Sequence, residues 1–358
     1  MKPIYLIFSL LTLIMLSCSS KDDTVLIENP ATQNIYFPPV NSNTWDVKTP
    51  SELQWNTSAL AELSSFLEDT NTKSFIILHQ GKIAWEQYYN GHDENSSWYW
   101  ASAGKTLTAI TTGIAQDQGL LNINNKVSDY IGTQWTSLNL AQENLITNRH
   151  LLSMTSGLDD SLGDDVTPNN LQYVADAGTR WAYHNVYVKL QDIVSQASNT
   201  NWSNYFTEHL KDKIGMTGQW IDLDNLSVYW SNTRSMARFG LMIYANGRWE
   251  NNQIISQDFL NQATNTSQDI NQAYGYLWWL NGKSSFNLPQ SQIQFNGYLI
   301  PNAPQDMYCA LGKNDQKLYI VPSIDLVIVR MGQAADASNF ALSNYDNDLW
   351  FKLNAVID

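Results

Sequence analysis

Apolar residues along the chain are spaced in a way that predicts strands near both ends and helices in the middle. Two short apolar runs separated by a Gln-Gly-Lys turn predict a β-hairpin over 75–89. Leucines at helical spacing predict a helix just before it, over 58–68. Further helices are predicted over 102–119, 127–131, 150–157, 186–198, 202–214, 231–244 and 337–357, and further strands over 274–280, 307–312, 318–322 and 326–331.

This order of elements predicts an α/β fold of the α+β type. Strands from both chain ends would form one antiparallel sheet flanked by helices, with an inserted helical subdomain between them. The helix that begins near Ser102 would start where the two parts meet. Clefts between subdomains are common ligand sites, so the start of this helix is where we look first for chemistry.

The first residues predict export from the cell. Lys2 precedes an apolar run over 4–16, which is too short for a membrane span and typical of a signal peptide. The run ends at Leu16-Ser17-Cys18, which resembles a bacterial lipobox with Cys18 as the lipidated residue. An ordinary cleaved signal with an incidental cysteine is the alternative. We therefore expect a signal peptide over 1–18, a polar tether over 19–34 and one globular domain over 35–358.

The residues after the cysteine favour an outer-membrane destination. Ser19 is typical of outer-membrane retention, and Lys21-Asp22-Asp23 resembles the surface-export tag of Bacteroidetes lipoproteins. We expect a lipoprotein on the periplasmic or cell-surface face of that membrane.

Composition narrows the possible partners. The net charge of −14 argues against nucleic acid and against a general affinity for anionic membranes, so membrane contact is expected through the lipid anchor only. The chain has two cysteines, Cys18 and Cys309, and acylation of the first leaves no partner for a disulfide. No His/Cys cluster has zinc spacing and no phosphate loop is present, so no metal and no cofactor are expected.

Ser102 and Lys105 are the first candidate pair. They lie three residues apart at the start of a predicted helix, so one turn brings the lysine beside the serine. A desolvated lysine has a lowered pKa and can act as the base that a serine nucleophile needs. The alternative is an N-cap serine followed by a solvated lysine.

Tyr183 and Asn185 form the second candidate pair. Alternate residues of an extended segment face one way, which would place the phenol and the amide together. A phenol near a lysine can relay a proton, and an amide can hold a substrate carbonyl and Lys105. The aromatic loop that contains Trp181 suits a cleft wall that binds substrate, whereas His184 is expected to point away and to be structural.

These motifs resemble the serine β-lactamase and penicillin-binding-protein superfamily, on the branch of class C β-lactamases, esterases and 6-aminohexanoate-dimer hydrolases. The resemblance covers roughly residues 35 to 355 and rests on Ser102-Ala103-Gly104-Lys105, Tyr183-His184-Asn185, Ala310-Leu311-Gly312 and the segments 150–157, 238–240, 274–279 and 319–323.

The resemblance implies a β-lactamase-like fold and a serine hydrolase mechanism. Ser102 would attack an ester or amide carbonyl, Lys105 would take its proton and Tyr183 would pass a proton to the leaving group. The resulting acyl-enzyme would be hydrolysed by water. The backbone N–H groups of Ser102 and Lys313 would hold the oxyanion, with Asn185 and the strand carrying Ala310 and Gly312 lining the substrate site.

The third motif departs from the family pattern, and this departure predicts the substrate class. Many relatives carry Lys or His where this chain has Ala310, and that cation helps to hold a carboxylate. Strand alternation would turn Lys313 to the opposite side from Ala310, although Arg180 could supply a charge. We therefore expect hydrolysis of small esters or amides with weak or no β-lactamase activity.

Three other functions stay open on the sequence. The chain could be a non-catalytic or penicillin-binding surface lipoprotein of the same fold, or a D-amino-acid peptidase. The 14 tryptophans and 34 acidic residues could also suggest a sugar-active enzyme with paired carboxylates, but no such pair stands out.

Overall fold

The computed structural model of the chain describes residues 35–223, 226–336 and 342–357. The predicted signal peptide, Cys18 and the tether over 19–34 lie outside these residues. No helix within the described ranges is long and apolar enough to cross a membrane.

A six-stranded antiparallel sheet forms the centre of the domain. Its strand order is β2-β1-β13-β12-β11-β8, so the strands from the two ends of the chain lie side by side. The prediction of one antiparallel sheet built from both chain ends is confirmed. The strands of this sheet are β1 (Thr72–His79), β2 (Lys82–Tyr88), β8 (Trp279–Leu280), β11 (Tyr308–Gly312), β12 (Gln316–Val321) and β13 (Leu326–Gly332).

Helices cover both faces of this sheet, which is why its central strands are continuous apolar runs. All four residues from Phe75 to Leu78 are fully buried. The helices α1 (Leu60–Asp69) and α10 (Asn344–Ile357) contact each other beside β1, and α8 (Thr233–Tyr244) contacts β1, β12 and β13. A Cβ at Gly240 would lie 2.6 Å from side-chain atoms of Leu318 and Val327, so glycine allows α8 to approach the sheet closely.

Within the described residues, the inserted region over 98–307 is mainly helical and contains three small sheets. Its remaining helices are α2 (Lys105–Asp117), α3 (Ser128–Ile131), α4 (Leu140–Glu143), α5 (Asn148–Leu152), α6 (Lys189–Ser198), α7 (Trp202–Phe206) and α9 (Gln257–Ala263). Its small strands are β3 (Trp98–Tyr99), β4 (Gln219–Leu223), β5 (Leu226–Ser231), β6 (Arg248–Trp249), β7 (Asn252–Gln253), β9 (Ser285–Asn287) and β10 (Gln294–Asn296).

Several predicted boundaries differ from the structure. The helix expected over 150–157 ends at Leu152, because Met154 and Gly157 adopt positive φ angles. The helix expected over 202–214 continues after Phe206 as a π turn and a 3-10 turn. Strand β8 occupies only the last two residues of the run expected over 274–280.

Helix α2 is buried along almost its whole length and carries the candidate lysine at its first position. Every residue from Lys105 to Ala115 is buried. The hydroxyls of Thr111 and Thr112 donate to the carbonyls four residues earlier, which satisfies these polar groups inside the core. Helix α2 is therefore packed inside the core from its first position, Lys105, onward.

Candidate active site

Ser102 lies in a 3-10 turn, Ala101–Gly104, that leads directly into α2. The residue before it, Ala101, has a φ of +48°, which is uncommon for a residue with a Cβ. The backbone N–H of Trp100 donates to the carbonyl of Tyr229 at 2.9 Å, and its indole donates to the hydroxyl of Ser231 at 2.7 Å. Strand β5 therefore holds the turn that presents Ser102. The unfavourable φ of Ala101 is next to the candidate nucleophile, and backbone strain of this kind is common at functional sites.

The structure brings Ser102 and Lys105 together as predicted. Lys105 Nζ donates to Ser102 Oγ at 2.7 Å, and only 2% of Lys105 is exposed. Burial lowers the pKa of this ammonium to about 7, although the carboxylate of Asp164 partly opposes the shift. A substantial fraction of the lysine is therefore neutral at neutral pH and able to accept the serine proton.

Tyr183 is the second candidate residue, after Lys105, that lies beside the Ser102 hydroxyl. Its phenol lies beside the Ser102 side chain. Burial raises the pKa of this phenol well above its ordinary value, and the interaction with Ser102 only partly offsets that effect. The phenol is thus protonated at neutral pH and suited to give a proton to a leaving group, while Lys105 is the better base.

A second tyrosine, which sequence reasoning missed, packs on the lysine. Lys105 Nζ lies 4.7 Å from the ring centroid of Tyr183 and 4.6 Å from that of Tyr187. The two phenols are four residues apart, across the 3-10 turn Asn185–Val188, and that spacing was the available signal. Aromatic faces attract a cation, so the two rings favour the charged form of Lys105, whereas burial favours its neutral form.

The side chain of Asn185 is hydrogen-bonded to Asp164, a residue that the sequence did not indicate as its partner. Its Nδ2 donates to Asp164 Oδ1 at 2.8 Å, so the structure pairs the amide with this carboxylate. Asp164 belongs to the stretch 159–176, which is acidic and contains no helix or strand; we call it the acidic loop. The same carboxylate raises the pKa of Lys105, so this loop acts on both predicted motifs.

A cavity of about 360 Å³ opens onto the nucleophile. Four of the predicted residues, Ser102, Tyr183, Asn185 and Lys313, line it. His184 lines it too, and its Nδ1 accepts from the backbone N–H of Val186 at 3.3 Å, which caps the turn Asn185–Val188. The other lining residues come from the acidic loop, from the β9–β10 connection and from the segment before α10: Asp160, Gly163, Asp164, Leu288, Pro289, Gln290 and Leu342.

Gly312, the last residue of the Ala310-Leu311-Gly312 motif, packs against the turn Ala101–Gly104 that contains Ser102. A Cβ at this position would lie 2.4 Å from the Trp100 carbonyl oxygen and 3.0 Å from the Ala103 nitrogen. Only glycine allows β11 to approach the turn this closely. Ala310, two residues earlier, is 1% exposed and lies in the core.

Lys313 lies on the cavity wall, which the argument from strand alternation did not predict. Strand β11 ends at Gly312, and Lys313 begins a turn in which Asn314 and Asp315 have φ angles near +60°. Alternation does not extend into this turn, so the exposed Lys313 lines the same cavity as Ser102. Arg330 fixes the turn by donating to the carbonyls of Asn314 and Asp315.

Two other aromatic-loop residues lie outside the cavity lining. Trp181 is fully buried and packs on the rings of Tyr183 and Trp279, so the structure places it in the core behind Tyr183. Arg180 donates from Nη2 to Asp160 Oδ1 at 2.6 Å. Its charge is therefore paired with that of Asp160, which lines the cavity.

Comparison with known proteins agrees with this geometry. The family model described as Beta-lactamase matches residues 67–348. A comparison with curated protein sequences gives no match.

Solved structures share the fold at low sequence identity. A protein assigned as a 6-aminohexanoate-dimer hydrolase from Bacillus anthracis aligns at a TM-score of 0.65 and 18% identity, covering 90% of this chain and 87% of its own. A protein assigned as a β-lactamase from Bacteroides dorei aligns at 0.67 and 16%, covering 85% and 99%. A penicillin-binding protein from Bacillus halodurans aligns at 0.59 and 14%, covering 82% and 99%.

The family model spans most of the chain, and the Ser-x-x-Lys and Tyr-x-Asn motifs meet at one cavity. The chain belongs to the Beta-lactamase family of serine hydrolases.

Proposed function

We propose that this protein hydrolyses small neutral esters or amides through an acyl-enzyme on Ser102 and has weak or no β-lactamase activity. One observation carries the proposal. The hydroxyl of Ser102 contacts both the buried amine of Lys105, at 2.7 Å, and the protonated phenol of Tyr183.

The reaction follows from the protonation states of these groups. The neutral amine of Lys105 takes the proton of Ser102 as Oγ attacks the carbonyl carbon. The backbone N–H groups of Ser102 and Lys313 would hold the oxyanion, and removal of one such donor costs about 3–4 kcal/mol in known cases. Tyr183 gives its proton to the leaving oxygen or nitrogen, and the Lys105 ammonium restores it. Water then attacks the acyl-enzyme with the same groups acting in reverse.

The charges around the cavity support a neutral substrate. Asp160 is neutralised by Arg180, which leaves Asp164 and Lys313 as opposing charges in the lining. Lys313 is exposed, and exposed ion pairs contribute about 0–1 kcal/mol. A β-lactam carboxylate would gain little from this lysine and would be repelled by Asp164.

A D-amino-acid peptidase is the second candidate, and Lys313 is the observation that favours it. Lys313 lines the cavity, so its charge is the one that the carboxylate of a short peptide would meet there, with the same small contribution of about 0–1 kcal/mol. The intact Ser102, Lys105 and Tyr183 set argues against a non-catalytic binding protein.

The test is a comparison of kcat/KM for short-chain p-nitrophenyl esters, acyl anilides, D-alanyl-D-alanine and two β-lactams, with Ser102→Ala as the control. We expect Ser102-dependent turnover of the esters or anilides at least tenfold above that of the β-lactams. β-Lactam turnover equal to or above that of the neutral esters would contradict the proposed class. Preference for the dipeptide would favour the second candidate.

We also propose that Cys18 is lipidated and anchors the protein at the outer membrane. The support is the short apolar run that ends at Leu16-Ser17-Cys18. Wild-type protein should partition into detergent, whereas Cys18→Ser should not. Cys309→Ser, which alters the buried free thiol, is the matched control and should partition like wild type. Detergent partitioning of Cys18→Ser would contradict lipidation.

A further inference from the structure

Lys105 is a buried amine that has no ion pair with any described residue. Only 2% of it is exposed, and within the described residues its Nζ has one hydrogen-bond partner, Ser102 Oγ at 2.7 Å. Lys105 is absent from the ion pairs that the described side chains form. An ammonium has three donors, and burial of its charge is costly unless a neighbouring group compensates it.

Two tyrosine rings lie against this amine where a carboxylate would be expected. The Nζ atom is 4.7 Å from the ring centroid of Tyr183 and 4.6 Å from that of Tyr187. Both distances are well inside the ~6 Å at which an aromatic face attracts a cation, and the attraction is larger where water is excluded. Tyr187 is only 6% exposed, so its contact with Lys105 is of this desolvated kind.

Tyr187 differs from Tyr183 in that it is placed to act on the lysine alone. Tyr183 lies beside the Ser102 side chain and lines the cavity. Within the part of the chain that the structure describes, Tyr187 is not among the residues that line the cavity. Burial raises the pKa of the Tyr187 phenol, so the ring is uncharged at neutral pH. Its route to the reaction is therefore the face that it presents to Lys105.

The other ionisable groups near α2 do not replace this contact. Among the described carboxylates, Asp164 acts on Lys105, but it already accepts a hydrogen bond from Asn185. Burial lowers the pKa of His184 and raises that of Tyr274, so both are neutral. Groups on the remaining elements that pack on α2 have partners of their own: Lys189 with Asp192, Glu208 with His209, Lys211 with Asp212 and Asp258 with Gln262.

We propose that Tyr187 is a positioning residue for the base of this reaction, in that the face of its ring stabilises the charged form of Lys105 and holds it beside Ser102. The proposed mechanism needs both forms of the lysine, because the neutral amine takes the serine proton and the ammonium returns one to Tyr183. A base is most efficient when its pKa is near the working pH. Burial alone would favour the neutral form further, and the ring opposes that shift. This inference rests on the Ser102–Lys105 chemistry of the proposed function.

The test is the pH dependence of Ser102 labelling by a fluorophosphonate, which needs no knowledge of the substrate. The wild-type labelling rate should rise with the neutral fraction of Lys105, with a midpoint near pH 7. Tyr187→Leu removes the ring but keeps the position apolar, and we expect its midpoint to fall by about 0.5–1.5 pH units. Tyr187→Phe keeps the ring and should keep the wild-type midpoint. The kcat/KM for a neutral ester should show the same shifts.

Fluorinated phenylalanines at position 187 provide a series that barely changes the shape of the side chain. Each added fluorine weakens the negative face of the ring, so the midpoint should fall stepwise from phenylalanine to its mono-, di- and trifluorinated forms. This series gives an answer even if Tyr187→Leu does not fold. Tyr205→Leu is the matched control, because it removes another buried ring that packs on His209 and should leave the midpoint in place.

The outcomes separate this inference from the proposed function. A midpoint that stays in place or rises along the fluorinated series would overturn the inference, even if labelling became slower at every pH, because a merely structural role changes the rate and not the midpoint. A fall in Tyr187→Phe equal to that in Tyr187→Leu would also overturn it, since the hydroxyl would then be responsible. The expected shifts without turnover of any ester or amide would support the inference and overturn the proposed function alone.

Discussion

Lys105 Nζ lies 2.7 Å from Ser102 Oγ, and only 2% of the lysine is exposed to solvent. This burial makes the amine a base in the physiological pH range. In the proposed mechanism, the hydroxyl, the amine and the Tyr183 phenol act as one proton-transfer unit.

The first prediction concerns pH. Burial lowers the pKa of Lys105 to about 7, and the base must be neutral to act. The kcat/KM for a neutral ester should therefore rise from pH 5 to pH 8 with a midpoint near 7. Asp164 raises the pKa of Lys105, so Asp164→Asn should move the midpoint to lower pH. Asp176→Asn, on the same loop, should leave it in place. An upward shift in Asp164→Asn would contradict the electrostatic assignment.

The second prediction concerns the shared action of Ser102 and Lys105. Ser102→Ala and Lys105→Ala should each remove most of kcat, by a factor of about 10³ or more. The double variant should be only slightly slower than either single variant, because both residues serve one step. Steady-state kinetics of the three variants gives the answer. Losses that multiply would show that the two side chains act in separate steps.

The third prediction concerns Tyr183. Tyr183→Phe keeps the ring beside Lys105 and removes the hydroxyl that contacts Ser102. We expect a loss of about 10²- to 10⁴-fold in kcat for amides, whose leaving nitrogen needs a proton. The loss should be smaller for p-nitrophenyl esters, because p-nitrophenolate leaves without protonation. Equal losses for the two substrates would argue against a role in protonating the leaving group.

The fourth prediction concerns Gly312. An alanine Cβ at this position would lie 2.4 Å from the Trp100 carbonyl oxygen, so the turn that carries Ser102 must move. We expect Gly312→Ala to lower the free energy of unfolding by about 1–3 kcal/mol and kcat by more than tenfold.

A matched control for Gly312→Ala is available in the nucleophile turn itself. The nearest atoms to a Cβ at Gly104 lie 3.8 Å away, which is ordinary van der Waals contact. Gly104→Ala should therefore have little effect on stability measured by denaturant unfolding. Similar losses in the two variants would show that the close approach of β11 is not the cause.

The parts of the site that the sequence predicted depend on local spacing. Ser102 and Lys105 meet because they are one helical turn apart, and Tyr183 follows a loop that reaches the same cavity. The central sheet was predictable because helices bury both faces of its strands, which leaves continuous apolar runs.

The parts that the sequence did not predict depend on tertiary contacts. The pairing of Asn185 with Asp164 joins residues 21 positions apart, and nothing in the acidic loop marks one carboxylate over another. The position of Lys313 on the cavity wall was missed because strand alternation was carried past the end of β11 at Gly312. The short strands β4 and β5 were missed because most of their residues are exposed or only partly buried, so their apolar pattern is weak.

The central claim is that Ser102 forms a covalent acyl-enzyme. Intact-protein and peptide mass spectrometry, after rapid acid quench of a reaction with a short-chain p-nitrophenyl ester, tests it most directly. We predict a mass increase equal to the acyl group, located on Ser102 and lost in Ser102→Ala. Turnover without an adduct on Ser102, or with the adduct on another residue, would contradict the account.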